Sequence, residues 1–394
     1  MQARQALKPN DAVIVAALRT PVGRAHKRLG YYRDMRADAL AVATVRAILE
    51  RTKIDPALIE DVVIGVSGQR GEQGFNLARM VAILAGLPFD TAGTTCNRLC
   101  GSSLQAINQA AHAIQYGAED IQIVGGVEHM YAVPMENLDF VNQDLFARTP
   151  PEAFVMGNTA ENLAQAKETP RRTQDEFALR SHQKATAAMN AGEFKPEIIP
   201  ITVKTSSGET VVENDQCIRP DTSMEQLTSL TPAFRPDGGS ITAGNSSPLN
   251  DGAAALLMMS AASAKRLGYQ PMARVVSSAV AGVDPRLMGT GPIPASRKAM
   301  ARAGLTVDDI DLFEINEAFA VQALVCRDEI GIPDEKLNIR GGALALGHPI
   351  GASGARISVT LLHALRDRKA RYGLASLCVG MGQGVATVFE RIED

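Results

Sequence analysis

The chain has 394 residues, 45% hydrophobic and 21% charged, with a formal net charge of −3: enough to bury a large core in more than one domain, and unlike a disordered or fibrous protein. So small a net charge gives no broad reason to bind nucleic acid or anionic membrane, no apolar stretch approaches the ~18 residues of a membrane span, and the first ten residues, with Arg4 and Lys8 but no apolar run, do not read as a secretory signal. Five cysteines at 96, 100, 217, 326 and 378, an odd and scattered set, form neither a disulfide framework nor a zinc spacing, so reduced thiols in a cytoplasm and no metal are expected.

In chain order, the spacing of Val45, Ile48 and Leu49 predicts a helix, and Ile59-Glu60-Asp61-Val62-Val63-Ile64 a strand. The run Asn97-Arg98-Leu99-Cys100-Gly101-Ser102-Ser103-Leu104 then sets a thiol just before small residues and a second helical pattern. A cysteine at a helix N-terminus feels the positive end of the dipole and meets free backbone N–H groups, which lowers its pKa from roughly 8.5 and favours a nucleophilic thiolate. A lone cysteine more often reads as a small buried hydrophobe. After Gly125-Gly126-Val127-Glu128-His129-Met130 come about 125 residues of a different character before the strand candidate at 252–258. They hold helical patterns at 160–167 and 173–188, a polar segment with Gly208, and a turn-rich end with Pro232, Pro236, Gly238 and Gly239. The remainder repeats the first order: a helix around 297–303, a strand at 309–313, a helix opened by Gly351-Ala352-Ser353-Gly354, and a last strand at 384–389. Asp61 and Asp311 lie 250 positions apart, as do Gly101 and Gly351, which is the mark of a duplicated unit. Strands alternating with helices imply α/β halves with buried sheets, the middle stretch being inserted into the first.

Three runs in the second half place polar or reactive groups among small residues: Asn316-Glu317-Ala318-Phe319, Gly341-Gly342-Ala343-Leu344-Ala345-Leu346-Gly347-His348-Pro349, and Cys378-Val379-Gly380-Met381-Gly382-Gln383-Gly384. A cysteine nucleophile needs a base, usually histidine, and a carbonyl substrate needs donors aimed at the oxygen that becomes negative. With the Cys100 run, these resemble the thiolases over almost the whole chain, from Val13 to Glu390. Within that family the detail is similar to the degradative 3-ketoacyl-CoA thiolases, in particular the β subunit of bacterial fatty-acid oxidation complexes. Ile218-Arg219-Pro220-Asp221-Thr222 and Ala281-Gly282-Val283-Asp284-Pro285 support the resemblance.

The resemblance implies a five-layer αβαβα fold of two duplicated halves, 11–126 with 251–270 and 271–394, and an inserted loop domain, 127–250, over a site between them. It implies cleavage of a 3-ketoacyl-CoA by CoA, with coenzyme A as substrate and no permanently bound cofactor. The alternative inside the family is a biosynthetic acetoacetyl-CoA thiolase, which commonly has a histidine where Val155 precedes Met156-Gly157. By resemblance Cys100 is the acyl-accepting cysteine, His348 takes its proton, and Cys378 is the acid and base of the carbon–carbon step. Asn316 would orient a water that completes one oxyanion hole with His348, and the backbone N–H groups of Cys100 and Gly380 would make the other. Two positions depart from the commonest pattern. Ser103 replaces a glycine and stays small; Met381 replaces a glycine with a bulky residue, a trait shared with the oxidation-complex β subunits. Glu317 either orients its neighbours or caps a turn. For CoA, Ser247 matches a serine on the pantetheine arm, Arg219 a basic position near the nucleotide, Phe234 an apolar pantetheine wall, and Met156 the acyl-pocket lining; each also reads as an ordinary loop or core residue. His26, His112, His129, His182 and His363 have no partner pattern and read as structural. A decarboxylating ketoacyl synthase would lack a second catalytic cysteine, and a noncatalytic CoA- or lipid-binding relative would have lost the reactive groups. A homodimer or homotetramer is expected; the β-subunit likeness adds the alternative of an α subunit, carrying hydratase and dehydrogenase activities, docked on the insertion.

Overall fold

The computed structural model describes residues 6–135, 141–205 and 208–393; Arg4 and two pieces of the expected insertion, 136–140 and 206–207, lie outside the described residues. Strand β1 (Ala12–Arg19) is buried along nearly its whole length, as a strand covered by helices on both faces must be. After the short β2 (Gly23–Arg24), helix α1 (Ala37–Thr52) turns Leu40, Val45 and Ile48 inward at helical spacing. Strand β3 (Asp61–Gly65), helix α2 (Leu77–Ala85), strand β4 (Ala92–Cys96), helix α3 (Ser102–Tyr116) and strand β5 (Ile121–His129) complete the first unit. Next come α4 (Met156–Ala166), α5 (Arg171–Asn190), the hairpin of β6 (Ile201–Thr205) and β7 (Gly208–Val212), and α6 (Met224–Thr228), before β8 (Asn250–Ser260) returns beside β5. Helix α7 (Ala261–Leu267) packs Ala261 and Ala264 into the first unit's core, and the second unit runs β9 (Ala273–Gly282), α8 (Pro292–Ala303), β10 (Leu312–Ile315), α9 (Ala320–Ile330), α10 (Ala343–Leu346), α11 (Ser353–Asp367), β11 (Tyr372–Val379) and β12 (Gln383–Arg391).

The strands follow one path, β4-β3-β5-β8-β1-β9-β12-β11-β10, but β1 and β9 share only the pairs Val13–Arg274 and Ile14–Ala273. That narrow seam divides the path into two sheets. Helices α3 and α11 lie between them, since Ile107, Ala111, Ile357 and Leu361 share one core with residues of both sheets. Helices α1 and α2 cover the outer face of the first sheet, and α8 and α9 that of the second. The result is the expected five layers.

The duplication is visible in the element starts. β3 and β10 begin at Asp61 and Leu312, α3 and α11 at Ser102 and Ser353, and β5 and β11 at Ile121 and Tyr372, each pair 251 apart. The offset of 250 expected from Asp61 and Asp311 is therefore one short. Asp61 lies inside its strand, whereas Asp311 precedes β10 and accepts the backbone N–H groups of Arg371 and Tyr372 at 2.7 and 2.8 Å.

Candidate functional site

Cys100 follows β4, Asn316 follows β10, and Gly380 follows β11, all at carboxyl ends of parallel strands, where α/β sheets build their sites. His348 stands between α10 and the turn that opens α11. The starts of α3 and α11 meet here. The Ala355 N–H donates to Ser103 Oγ at 2.8 Å, and a Cβ on Gly354 would fall 2.2 Å from the Leu104 nitrogen, so glycine is what lets the two helices touch. Ser103 thus does more than stay small: it ties the two units together.

Cys100 sits in a single 3₁₀ turn, Leu99–Gly101, just before α3, half-buried, with the Gly380 N–H donating to its sulfur. The helix-end argument for a standing thiolate does not hold. Burial pushes the thiol up to about 11; the Gly380 N–H pulls it back, and the Glu128 carboxylate pushes it further up. Desolvation outweighs the donors, and the thiol needs a base. Cys378, on β11 opposite Gly384 of β12, is fully buried, and burial first and the neighbouring Cys100 second hold it well above the ordinary thiol range.

The hydrogen bonds around His348 fix its tautomer. Its backbone N–H donates to Asn250 Oδ1 at 2.9 Å, and its Nδ1 lies 2.6 Å from Ser353 Oγ. The Ser353 hydroxyl donates its one hydrogen to the Pro349 carbonyl at 2.8 Å, so it can only accept from the ring. Nδ1 therefore carries the proton and Nε2 is left as the acceptor. Burial, and then the charge of Arg356, lower His348 to about 3, which keeps the ring neutral. Asn316 Nδ2 lies 3.4 and 3.5 Å from the two ring nitrogens, and its Oδ1 has no protein partner among the described residues.

Two buried carboxylates hold the loops. Glu317 accepts from Ser181 Oγ at 2.6 Å, Asn338 Nδ2 at 2.7 Å and the Leu344 N–H in the first turn of α10 at 3.2 Å, so it serves both of its readings, orienting neighbours and capping the short helix before His348. Glu128 accepts the N–H groups of Ser67 and Gly68 at 3.0 Å, Gln73 Nε2 at 2.7 Å and the Gly351 N–H at 2.7 Å, joining the walls contributed by the two units. Neither Glu128 nor Ser353 was assigned a role from the sequence. A carboxylate inside the fully buried strand β5 was the available signal for Glu128; Ser353 offered none beyond its place at a helix start.

In front of Cys100 opens a cavity of about 560 Å³, lined mostly by apolar groups including Leu99, Met130, Val133, Leu145, Phe154, Met156, Ile350 and Met381, with Glu128 and Gly380 at the reactive end. Met156 is thus brought to Cys100. A second cleft of about 220 Å³ is lined by His182, Arg219, Thr222, Gln226, Gly244 and Ser246. Arg219 is exposed there, its backbone N–H donating to His182 Nδ1 at 3.2 Å. Burial first and Arg219 second lower His182 to about 4, so this histidine belongs to the cleft as well as to the scaffold. Ser247 is half-buried between Ser246 and Pro248, which line the cleft, and its N–H donates to Ala318 O at 3.0 Å. Phe234 stands edge-on to Phe319 at 6.4 Å and rests on Gly157. His112, His129 and His363 are engaged elsewhere, near Ser278 Oγ, Tyr32 O and Ala17 O at 3.0, 2.9 and 3.0 Å, and His26 accepts two backbone N–H groups at 3.1 Å. Among the described residues no group of three or more His, Cys, Asp or Glu is arranged to hold a metal ion, and no helix is long and apolar enough to cross a membrane.

The arrangement offers a thiol, a neutral base, a second thiol and an N–H aimed at sulfur, beside an apolar cavity. That is equipment for acyl transfer through a thioester. Residues 12–262 match the family model of the thiolase N-terminal domain, and residues 269–391 that of the thiolase C-terminal domain. A 3-ketoacyl-CoA thiolase of Pseudoalteromonas translucida is 48% identical over 98% of this chain and 100% of its own. One of Shewanella loihica is 50% identical over 97% and 99%. Among solved structures, human mitochondrial 3-ketoacyl-CoA thiolase superposes with a TM-score of 0.90 at 37% identity, covering 98% of this chain and 100% of that one. The Bacillus anthracis acetyl-CoA acetyltransferase does so with a TM-score of 0.90 at 42% identity, covering 97% and 99%. The fold, the order of the reactive runs and these full-length likenesses agree: the chain belongs to the thiolase family.

Proposed function

We propose that the protein is a degradative 3-ketoacyl-CoA thiolase, which splits its substrate with CoA into acetyl-CoA and an acyl-CoA two carbons shorter. The observation that carries this reading is the Gly380 N–H on the Cys100 sulfur, beside Cys378 and in front of a cavity much larger than an acetyl group, with a neutral His348 held at the turn that opens α11.

In the proposed cycle His348 Nε2 takes the Cys100 proton and the sulfur adds to the keto carbon, C3. The charge that reaches the C3 oxygen is met by the N–H groups of Cys100 and Gly380. Collapse breaks the C2–C3 bond and leaves the acyl group on Cys100. The electron pair goes to the departing acetyl-CoA as an enolate, whose oxygen faces His348 and a water held by Asn316, whose Oδ1 has no protein partner among the described residues. Cys378, kept a thiol by burial, gives its proton to C2. The incoming CoA thiol then gives its proton to the Cys378 thiolate and attacks the thioester; Cys100 leaves and recovers its proton from His348.

Arg219 and His182 in the second cleft would meet the nucleotide end of CoA, with Ser247 and Phe234 along its pantetheine arm. The same residues would serve a biosynthetic acetoacetyl-CoA enzyme, but the apolar cavity favours a longer acyl chain. A second copy of this chain is the partner we favour, because β4 is an edge strand with Leu84 and Phe89 exposed beside it, at 50% and 81%. An α subunit docked on 127–250 is the other reading, and copurification separates the two. Five free cysteines fit a cytoplasmic site. The test of activity is CoA-dependent cleavage of 3-ketoacyl-CoAs of graded length. Equimolar acetyl-CoA and shortened acyl-CoA are expected; turnover of acetoacetyl-CoA alone would point to the biosynthetic enzyme, and no cleavage at all would remove the reading.

A further inference from the structure

Among the residues lining the cavity, two bulky ones have left-handed backbones: Leu99 at φ 45° and Met381 at φ 65°. Leu99 immediately precedes Cys100, and Met381 immediately follows Gly380. Side chains with a Cβ rarely adopt this conformation, and residues held in it gather where the strain serves a site. Glycine would take φ 65° without a steric penalty, so the backbone alone gives no reason for methionine at 381. What methionine adds is a flexible apolar side chain in the cavity. Leu99 stands against the same turn: its Cδ1 would lie 3.0 Å from a Cβ built on Gly380, and Met156 Sδ 3.7 Å from the same point.

We propose that Leu99 and Met381 are specificity-determining residues, an apolar collar around the first carbons of the acyl chain that favours extended chains over acetoacetyl groups. The inference rests on the thiolase reading of the site and names its substrate class. Volume agrees with it. A two-carbon acyl group, at roughly the 30 Å³ of one water per carbon, fills only a small part of a cavity of about 560 Å³. A chain of eight to ten carbons fills about half of it. The wall beyond the collar, with Val133, Leu145 and Phe154, is apolar enough to receive that chain.

The test compares kcat/KM for 3-ketodecanoyl-CoA and for acetoacetyl-CoA in the wild type, Met381→Gly and Met381→Leu. Losing contact with about two methylenes, each worth roughly fourfold, should cut the long-to-short preference of Met381→Gly by about tenfold to twentyfold. Met381→Leu should keep most of that preference, and the melting temperature of Met381→Gly should rise as the strain is relieved. An unchanged ratio in Met381→Gly, or equal losses on both substrates together with a lower melting temperature, would overturn the proposal. A wild type that cleaves no 3-ketoacyl-CoA of any length would instead overturn the thiolase reading itself, so the two failures are distinct.

Discussion

Ser353→Ala is the sharpest perturbation of the proposed base. Ser353 Oγ accepts the Nδ1 proton of His348 at 2.6 Å while donating to the Pro349 carbonyl at 2.8 Å. Alanine leaves a buried ring N–H without its partner, a loss of roughly 1–3 kcal/mol. The imidazole can avoid that loss by moving its proton to Nε2, the nitrogen needed for the Cys100 proton. At about 1.4 kcal/mol per factor of ten, the competent tautomer becomes about tenfold to a hundredfold rarer. Acylation and kcat should fall by that factor, with KM for the 3-ketoacyl-CoA changing less than about twofold, because Ser353 does not line the cavity. Steady-state thiolysis separates kcat from KM, and the rate of Cys100 alkylation by iodoacetamide reports the same base without substrate. Ser353→Thr, which keeps the hydroxyl, should restore most of the activity. A Ser353→Ala enzyme with kcat within twofold of wild type, or one as impaired as Ser353→Thr, would refute the tautomer argument.

Cys378→Ala should still accept an acyl group from a substrate that needs no carbon–carbon cleavage, yet lose thiolysis by at least ~10²-fold; normal thiolysis would remove Cys378 from the mechanism. Gly354→Ala drives a Cβ to 2.2 Å from the Leu104 backbone nitrogen, where no flexible side chain can yield, so the α3–α11 contact must open; denaturant melts should show a loss of ~1–3 kcal/mol or more, and an unchanged midpoint would contradict the close approach. His348 and His182 are held to about 3 and about 4, below the ordinary histidine value of about 6.5, so the unfolded chain binds protons in this window before the native one does. Their contribution is therefore complete above about pH 6.5 and is lost as pH falls towards 3. Urea midpoints at pH 7 and pH 4.5 should drop in wild type, and by less in His348→Asn.

The four reactive runs were legible because each sets a chemically distinctive side chain among small residues, glycines in the Cys100, His348 and Cys378 runs and alanine beside Asn316. The layers were legible because apolar strands alternate with amphipathic helices; α4 starts four residues before the expected 160–167 and ends one short of it, and α5 extends the expected 173–188 by two residues at each end. What failed did so for local reasons. The Asp61–Asp311 match equated a strand residue with one that precedes its strand, and so missed the register by one. The low thiol pKa expected of Cys100 followed from its helix-start position; burial, a property of the whole fold, reverses it. Ser353 and Glu128 act across turns and between units, on backbone groups no periodicity reveals. Ser103 read as a small stand-in for glycine, but its hydroxyl meets the other unit's helix.

The central claim is that Cys100 carries the acyl group while Cys378 carries protons. Incubation with a 3-ketoacyl-CoA without free CoA, followed by acid quench, proteolysis and peptide mass mapping, tests it directly. An acyl adduct two carbons shorter than the substrate's acyl chain is expected on the peptide containing Cys100, discharged when CoA is added. An adduct on the Cys378 peptide, or none on Cys100 during turnover, would contradict it.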